Sequence, residues 1–341
     1  MCLDVSKWSQ LGMVFAATLL VQASVILSAI AQDSKGDLLL ITSERDAYKQ
    51  IIRVLGDGSG RKVLTGEREF AADPSLSPDG KRIAFVAVVG DLFVIHPKMG
   101  LFVMNVDGSG RTRLAEKELG DRIPAAPNWS PDGKRIAFCT RPQGGTKGKY
   151  QLHVVDADGR NIKPLDTVEA IAPVWSPDGK RLLITRLREP KTGRWKPSLC
   201  TVNVDGTNLR ELVPGGFSGA WSPDGKALAF TAMFLRHDDQ TEAEPGGLFV
   251  AHADGSKPKR IAELGKLGFS KTAPAMLHLF GLQWSRDSKQ LFFSRIGQRD
   301  NDLEKTIRPW TIQVIDANGR NLRQVNAADV PEYLGITTLE R

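Results

Sequence analysis

The residues best suited to catalysis or metal binding are few and scattered along this chain of 341 residues. Histidine is the commonest metal ligand and general base in proteins. The chain has five histidines, namely His96, His153, His237, His252 and His278. They fall at non-equivalent positions of different repeat units, whereas a metal-dependent lyase built from repeats needs several imidazoles to converge on one ion. Their spacing therefore predicts no shared metal site.

Two short strings resemble functional motifs but lack parts that the chemistry needs. In Gly216-Phe217-Ser218-Gly219 the serine stands as in a nucleophile elbow, yet Ala220 replaces the last glycine and no strand-to-helix turn is expected there. Asp156-Ala157-Asp158-Gly159 begins like a calcium loop, without the ligand spacing or the closing glutamate. We therefore predict a hairpin turn at the second string, and no catalytic residue, cofactor or metal site.

A short sequence string that is typical of a tight turn recurs along the chain and indicates where the strands that would position a site begin. Five copies of one string occur, at Ser77-Pro78-Asp79-Gly80-Lys81, Ser130 to Lys134, Ser176 to Lys180, Ser222 to Lys226 and, in altered form, Ser285-Arg286-Asp287-Ser288-Lys289. Each copy precedes an apolar run, such as Arg82-Ile83-Ala84-Phe85, which is typical of a strand leaving a tight turn. The aspartate of each string is expected to cap its turn through its own backbone. Hairpin signals follow downstream at Asp57-Gly58, Asp107-Gly108, Asp158-Gly159, Asp205-Gly206, Asp254-Gly255 and Asn318-Gly319. Tryptophan precedes four of the five strings, at Trp129, Trp175, Trp221 and Trp284, and we expect it to pack between units.

Four antiparallel strands at this period indicate the blades of a β-propeller. Counting the hairpin signals predicts an all-β, six-bladed propeller over residues 32–341. The first unit begins at Asp37 and lacks an innermost strand on its N-terminal side. We expect Tyr333-Leu334-Gly335-Ile336-Thr337-Thr338 to supply that strand and close the ring, which leaves no exposed strand edge.

The tandem Trp-Ser-Pro-Asp-Gly-Lys strings, each followed by an Ile-Ala-Phe type of strand and an Asp-Gly hairpin, resemble the propeller repeats of the TolB family. That family is related to the propellers of prolyl-oligopeptidase-type peptidases. The resemblance covers residues 37–339 and implies the propeller fold. It does not extend to the α/β domain that precedes the TolB propeller, or to the hydrolase domain of the peptidases.

The N-terminus is predicted to direct export. Lys7 precedes an apolar run from Leu11 to Ile30, and Ala29-Ile30-Ala31 fits a small-x-small cleavage site, so residues 1–31 are interpreted as a signal peptide. An uncleaved membrane anchor is the alternative, because about 20 apolar residues can span a bilayer. Either reading places the propeller in the periplasm or outside the cell. Cys139 and Cys200 are expected to be small buried apolar groups, with a disulfide as the alternative.

The variable loops are expected to gather on the face opposite the short turns, where loops on a rigid scaffold commonly bind partners. One sector of this face is basic, and two tryptophans beside arginines lie in its loops, as in interface hot spots. The candidate partner-binding residues are Arg186, Arg188, Lys191, Arg194, Trp195, Lys196, Arg308 and Trp310. Solvated loop charge is the alternative interpretation.

Two classes of function remain open. The first is a non-catalytic, monomeric recognition module that binds an envelope or extracellular protein, or an anionic envelope polymer, through the loop face and the channel mouth. The formal net charge of +7 suits an anionic partner, whereas diffuse basic charge alone does not predict nucleic-acid binding. The second is an enzyme, a lyase or hydrolase of a saccharide or lactone, in the central channel. We favour the first because no acid/base pair or metal cluster can be named.

Overall fold

The computed structural model describes residues 38–45, 48–55, 60–94, 96–143, 149–165, 168–188, 196–235, 244–263, 279–295 and 311–324. An N-terminal sheet comprises β1 (Leu38–Arg45), β2 (Tyr48–Leu55) and β3 (Lys62–Val63). Blade I comprises β4 (Ala71–Leu76), β5 (Arg82–Val89), β6 (Lys98–Asn105) and β7 (Thr112–Leu114), and a short helix, α1 (Glu116–Leu119), follows it.

Four further blades repeat the same antiparallel order. Blade II comprises β8 (Ile123–Trp129), β9 (Arg135–Arg141), β10 (Gln151–Asp156) and β11 (Lys163–Leu165). Blade III comprises β12 (Ala170–Trp175), β13 (Arg181–Arg188), β14 (Lys196–Asn203) and β15 (Arg210–Pro214). Blade IV comprises β16 (Gly216–Trp221), β17 (Ala227–Leu235), β18 (Glu244–His252) and β19 (Lys259–Glu263). Blade V comprises β20 (Leu279–Trp284), β21 (Gln290–Arg295), β22 (Thr311–Asp316) and β23 (Arg323–Gln324).

The prediction of six four-stranded blades is wrong. The described residues form five such blades, and the N-terminal sheet has three strands. The error comes from counting hairpin signals, because a hairpin turn requires only two strands, whereas each Ser-Pro-Asp-Gly type of turn requires a first strand before it. The string occurs five times, which is the number of four-stranded blades. The strand expected at 333–338 lies outside the described residues.

Side-chain hydrogen bonds build the repeated turns locally. In the first copy, Ser77 Oγ donates to Asp79 Oδ1 at 2.6 Å, and the same oxygen accepts from the Lys81 amide at 3.1 Å. Gly80 adopts φ 71°, which a residue without a side chain does most easily. The prediction that this aspartate stabilises its own turn is confirmed, and the hydrogen bond from Ser77 lowers the pKa of Asp79.

Both kinds of short turn lie on one face of the molecule, as predicted. In blade I, Arg82 at the start of β5 pairs with Asn105 at the end of β6, so the two turns flanking these residues are neighbours. We call this the turn face. The connections at the opposite strand ends form the loop face.

The core is divided among the interfaces between neighbouring sheets. One cluster of buried side chains joins blades II and III and includes Cys139, Trp175, Ile184 and Cys200. Similar clusters join the other neighbouring sheets. Cys139 and Cys200 are buried and not joined in a disulfide, which confirms their interpretation as small buried groups. In the part of the chain that the structure describes, no helix has the length and apolar character needed to span a bilayer. The predicted export segment lies outside that part.

Candidate functional site: the central cavity

The inner strands of all five blades surround a central cavity of about 310 Å³. Its lining is mostly apolar. The polar side chains in it are Asp73, Asn128, Cys139, Ser218 and Gln283, and the apolar ones include Trp175, Phe217, Trp221, Leu282 and Trp284. The lining extends to Pro177 and Pro223, which belong to the repeated turns. The cavity therefore reaches the turn face.

A β-bulge recurs at the same place in each inner strand and shapes this cavity. The pairing with the second strand shifts register after Ala72, Ala125, Ile171, Phe217 and Phe280. Four of the bulges place a non-glycine residue in the left-handed region, with φ 53° at Asp73, 50° at Ala126, 51° at Ala172 and 46° at Ser218. This backbone conformation costs about 1 kcal/mol or more per residue. Since it recurs, contacts around each bulge must hold it.

Side chains of the preceding blade hold the bulge amides. The Ser218 amide donates to Thr185 Oγ1 of β13 at 3.2 Å. In the same way the amide of Ala172 donates to the sulfur of Cys139, which stands at the equivalent place in β9. These two bulges are thus stabilised by the residue at the fifth position of the neighbouring second strand.

In blade I a different residue accepts the hydrogen bond from the next bulge amide, and it places a carboxylate in the cavity wall. Its second strand has Val86 at the fifth position, and valine cannot accept a hydrogen bond. Instead, Asp73 Oδ2 accepts from the Ala126 amide at 3.0 Å. The Asp73 side chain is only 2% exposed, so this acidic group is held within the first blade interface.

Tryptophans at the ends of the inner strands fasten neighbouring blades together, which confirms the prediction that they pack between units. Indole Nε1 donates to the backbone oxygen of the preceding blade at 3.0 Å from Trp129 to Ser75, 3.0 Å from Trp175 to Asn128 and 3.1 Å from Trp284 to Ala220. Arginine guanidinium groups stack on three of these rings, Arg82 on Trp129, Arg135 on Trp175 and Arg181 on Trp221. Three of these tryptophans also line the cavity.

The cavity offers binding chemistry more readily than catalysis. Burial raises the pKa of Cys139 to about 12, so its thiol is protonated and poorly nucleophilic at neutral pH. Ser218 lies on the bulge of an inner strand rather than on a strand-to-helix turn. Among the described residues, no group of three His, Cys, Asp or Glu side chains could hold a metal ion.

The predicted partner-binding residues are described only in part. Arg186 is half-buried in β13. Arg188 of β13 lies opposite Lys196 of β14 in the backbone register at the loop end of blade III. The others, Lys191, Arg194, Trp195, Arg308 and Trp310, lie outside the described residues. The structure therefore brings three of the eight together at one end of one blade.

Sequence reasoning missed the bulge residues, although a signal for them exists. Proline directly follows the bulge residue at Pro74, Pro127 and Pro173. Proline inside a strand marks a bulge or an edge, because it cannot donate to the sheet. The same offset from three repeated turns would have indicated three equivalent bulges.

Comparison with known proteins identifies related repeats and a related fold. No family model matches the chain. It is 38% identical over 85 residues, 25% of its length, to dipeptidyl-peptidase 5 of Porphyromonas endodontalis, and 27% identical over 124 residues, 36% of its length, to a TolB homologue of Chlorobium luteolum. These matches span 11% of the peptidase and 25% of the TolB homologue. The fold is similar to that of TolB from Acinetobacter baumannii, with a TM-score of 0.60 at 16% identity, covering 86% of this chain and 64% of that one.

Proposed function

We propose, from the premise that this chain is a TolB-like β-propeller, that it is a non-catalytic recognition module of the cell envelope. Its partner inserts a short segment into the central cavity. The observation that carries the proposal is the cavity itself, which has about 310 Å³ of space bounded by mostly apolar side chains. That volume is at the lower end of ordinary ligand pockets and suits one or two side chains of a partner protein.

The lining argues for binding over hydrolysis of a saccharide. Glycoside hydrolysis generally uses two carboxyl groups that flank the bond to be cleaved. Among the described lining residues there is one carboxylate, Asp73, and it is occupied by the Ala126 amide. Aromatic rings such as those of Trp175 and Trp221 are well suited to anchor apolar or aromatic groups of a ligand.

The same proposal includes where the module acts and which class of partner it binds. The chain is proposed to act in the periplasm or outside the cell, on an envelope protein or an anionic envelope polymer. The basic loop-face residues, from Arg186 to Lys196, would then speed association with an acidic partner, since charges outside the buried contact act mainly on association rates.

The test is to fill the cavity and measure capture of envelope proteins. Ala172→Phe places a ring in the cavity lining, and Lys163→Phe adds the same ring at an exposed position of β11 as a matched control. We expect the wild-type chain and the control to capture the same protein from an envelope extract, and Ala172→Phe to lose it by at least tenfold.

Two outcomes would reject the proposal. Equal capture by Ala172→Phe, with its fold intact by circular dichroism, would exclude the cavity as the binding site. Turnover of an envelope saccharide by the wild-type chain, together with no captured protein, would favour the enzyme class instead.

A further inference from the structure

Two arginines enter one blade interface from opposite sides at the loop face. Arg141 ends β9, and Arg186 lies in β13. Side chains two residues apart point to the same side of a strand. Arg141 therefore shares a side with Cys139, and Arg186 shares a side with Ile184. Since Cys139 and Ile184 belong to the cluster that joins blades II and III, both arginines project toward that interface.

The Nε atoms of both arginines are buried and lack a hydrogen-bond partner in the part of the chain that the structure describes. By contrast, Arg122 Nε donates to Thr140 Oγ1 at 2.7 Å. The Nε of Arg113 is also unpaired, but its Nη1 lies 2.6 Å from a carboxylate oxygen of Glu116. A buried charged donor without an acceptor is costly. Two of them at one interface favour the binding of an acceptor from outside the protein.

Hydroxyl groups beside the two arginines add further donors. Ser198 lies opposite Arg186 in the β13–β14 register and is 4% exposed, so both side chains are on one side of blade III. Tyr150 packs against the same cluster, where the charge of Arg141 acts on it. Burial raises the pKa of the Tyr150 hydroxyl, which therefore keeps its proton at neutral pH and can donate it in a hydrogen bond.

Charge and geometry select the class of anion. The carboxylate of Glu169, at this end of the interface, lies 3.8 Å from Lys149 Nζ and is partly neutralised there. Planar guanidinium groups bind phosphate and carboxylate oxygens in pairs. Two such groups carry two positive charges, which match a phosphate group better than a single carboxylate.

We propose that Arg141 and Arg186, with the hydroxyl groups of Tyr150 and Ser198, form a binding site for a phosphate group between blades II and III. The phosphate is either free or the terminal group of a larger envelope molecule. Neither arginine lines the central cavity. Phosphate binding here and capture of a partner in the cavity can therefore fail separately, although Arg186 also belongs to the basic loop-face residues that the proposed function uses for association.

The test is titration of the full chain with inorganic phosphate, followed by calorimetry and by thermal unfolding. We expect phosphate to raise the unfolding temperature of the wild-type chain in a concentration-dependent way. Arg141→Gln and Arg186→Gln should each weaken phosphate binding about tenfold or more, since each removes a charge-assisted pair of hydrogen bonds. Arg160→Gln is the matched control, because Arg160 is 83% exposed on the turn face.

Titrations with two other anions test whether the ligand is free phosphate or a phosphorylated molecule, and whether a carboxylate can replace it. Glycerol 3-phosphate that binds more tightly than inorganic phosphate would indicate a phosphorylated organic ligand, and equal affinities would indicate the free ion. Acetate that binds as tightly as phosphate would overturn the assignment to phosphate.

Two results would overturn the site itself. The first is the absence of phosphate binding to the wild-type chain, or equal binding by both variants. The second is a lower unfolding temperature of the variants in phosphate-free buffer with unchanged phosphate affinity, which would make the arginines purely structural.

Discussion

Asp73 links two bulges of the cavity wall through one hydrogen bond. Its carboxylate accepts from the Ala126 amide, which is otherwise turned toward an apolar interface. We expect Asp73→Ala to lower the free energy of unfolding by about 1–3 kcal/mol, because it leaves a buried donor unpaired. Asp73→Asn should cost less, since the amide oxygen can still accept. Urea denaturation of the three proteins measures both differences.

The order of the two Asp73 variants is the decisive outcome. Equal losses in Asp73→Ala and Asp73→Asn would show that the charge, rather than the accepted hydrogen bond, stabilises this interface.

For single residues, the sequence predicted the roles that depend on residues nearby in the chain. The turn aspartates and the packing tryptophans were predicted because their neighbours in the sequence define their roles. Asp73 was missed because its role depends on Val86 of its own blade and on the amide of Ala126, which is 53 residues away. Contacts of that kind require the register of the strands to be known.

The repeated turn is the element whose stability should depend on pH. Its aspartates have lowered pKa values, and in the third copy the first cause is the hydrogen bond from Ser176 to Asp178 at 2.5 Å. A lowered pKa in the folded state means that the contribution to stability is fully present above the unfolded value of about 3.9. It is lost as the pH falls through the lowered pKa of the folded state.

Asp178→Asn tests this contribution. The variant should be less stable than the wild type by about 1 kcal/mol or less, because the group is largely exposed to solvent. We expect the difference to be constant between pH 5 and 8 and to shrink below about pH 4. Chemical denaturation across this range measures it, and a difference that grows on acidification would contradict the assignment.

At the scale of elements, strands and turns were predictable, but for the loop face the sequence predicted only a basic sector. The repeated string defines the start of each second strand, and the structure begins β9 at Arg135 and β13 at Arg181, directly after the turns. The loops carry no repeated string. The sequence could therefore identify Arg186 as part of a basic sector, but it could not identify its burial opposite Arg141.

Across the whole molecule, the blades are held together by equivalent tryptophans that are not equally bonded. Trp175 Nε1 donates to the oxygen of Asn128, whereas the buried Trp221 Nε1 has no partner among the described residues. Trp175→Phe should therefore destabilise the protein more than Trp221→Phe, by about 1 kcal/mol, because it also removes a hydrogen bond. Both rings are about equally buried, at 5% and 6% exposed, so the pair is internally matched.

Thermal and chemical denaturation of the two phenylalanine variants compare these interfaces. Equal destabilisation would mean that ring packing alone joins the blades and that the indole hydrogen bond contributes nothing.

The architecture of the whole was predicted as a propeller but with the wrong number of four-stranded blades. Periodicity identifies the repeating unit, since each unit buries its faces against its neighbours. It does not identify how many strands a terminal unit has, because that depends on pairing between distant segments. The N-terminal sheet shows this, with three strands and a bridge from Lys49 to Phe70 beside blade I.

In the recurring bulge, the hydrogen bonds that hold the backbone are distinct from the side chains that line the cavity. The backbone strain at Ala126, Ala172 and Ser218 is offset by hydrogen bonds from the bulge amides, and those bonds do not involve the residue's own side chain. Gly281 lies within the fifth bulge. Blades II, III and IV thus each contribute one position whose own side chain is not needed to hold its bulge. Duplicated blades could diverge at these positions alone, and a single scaffold could acquire new ligand preferences one residue at a time.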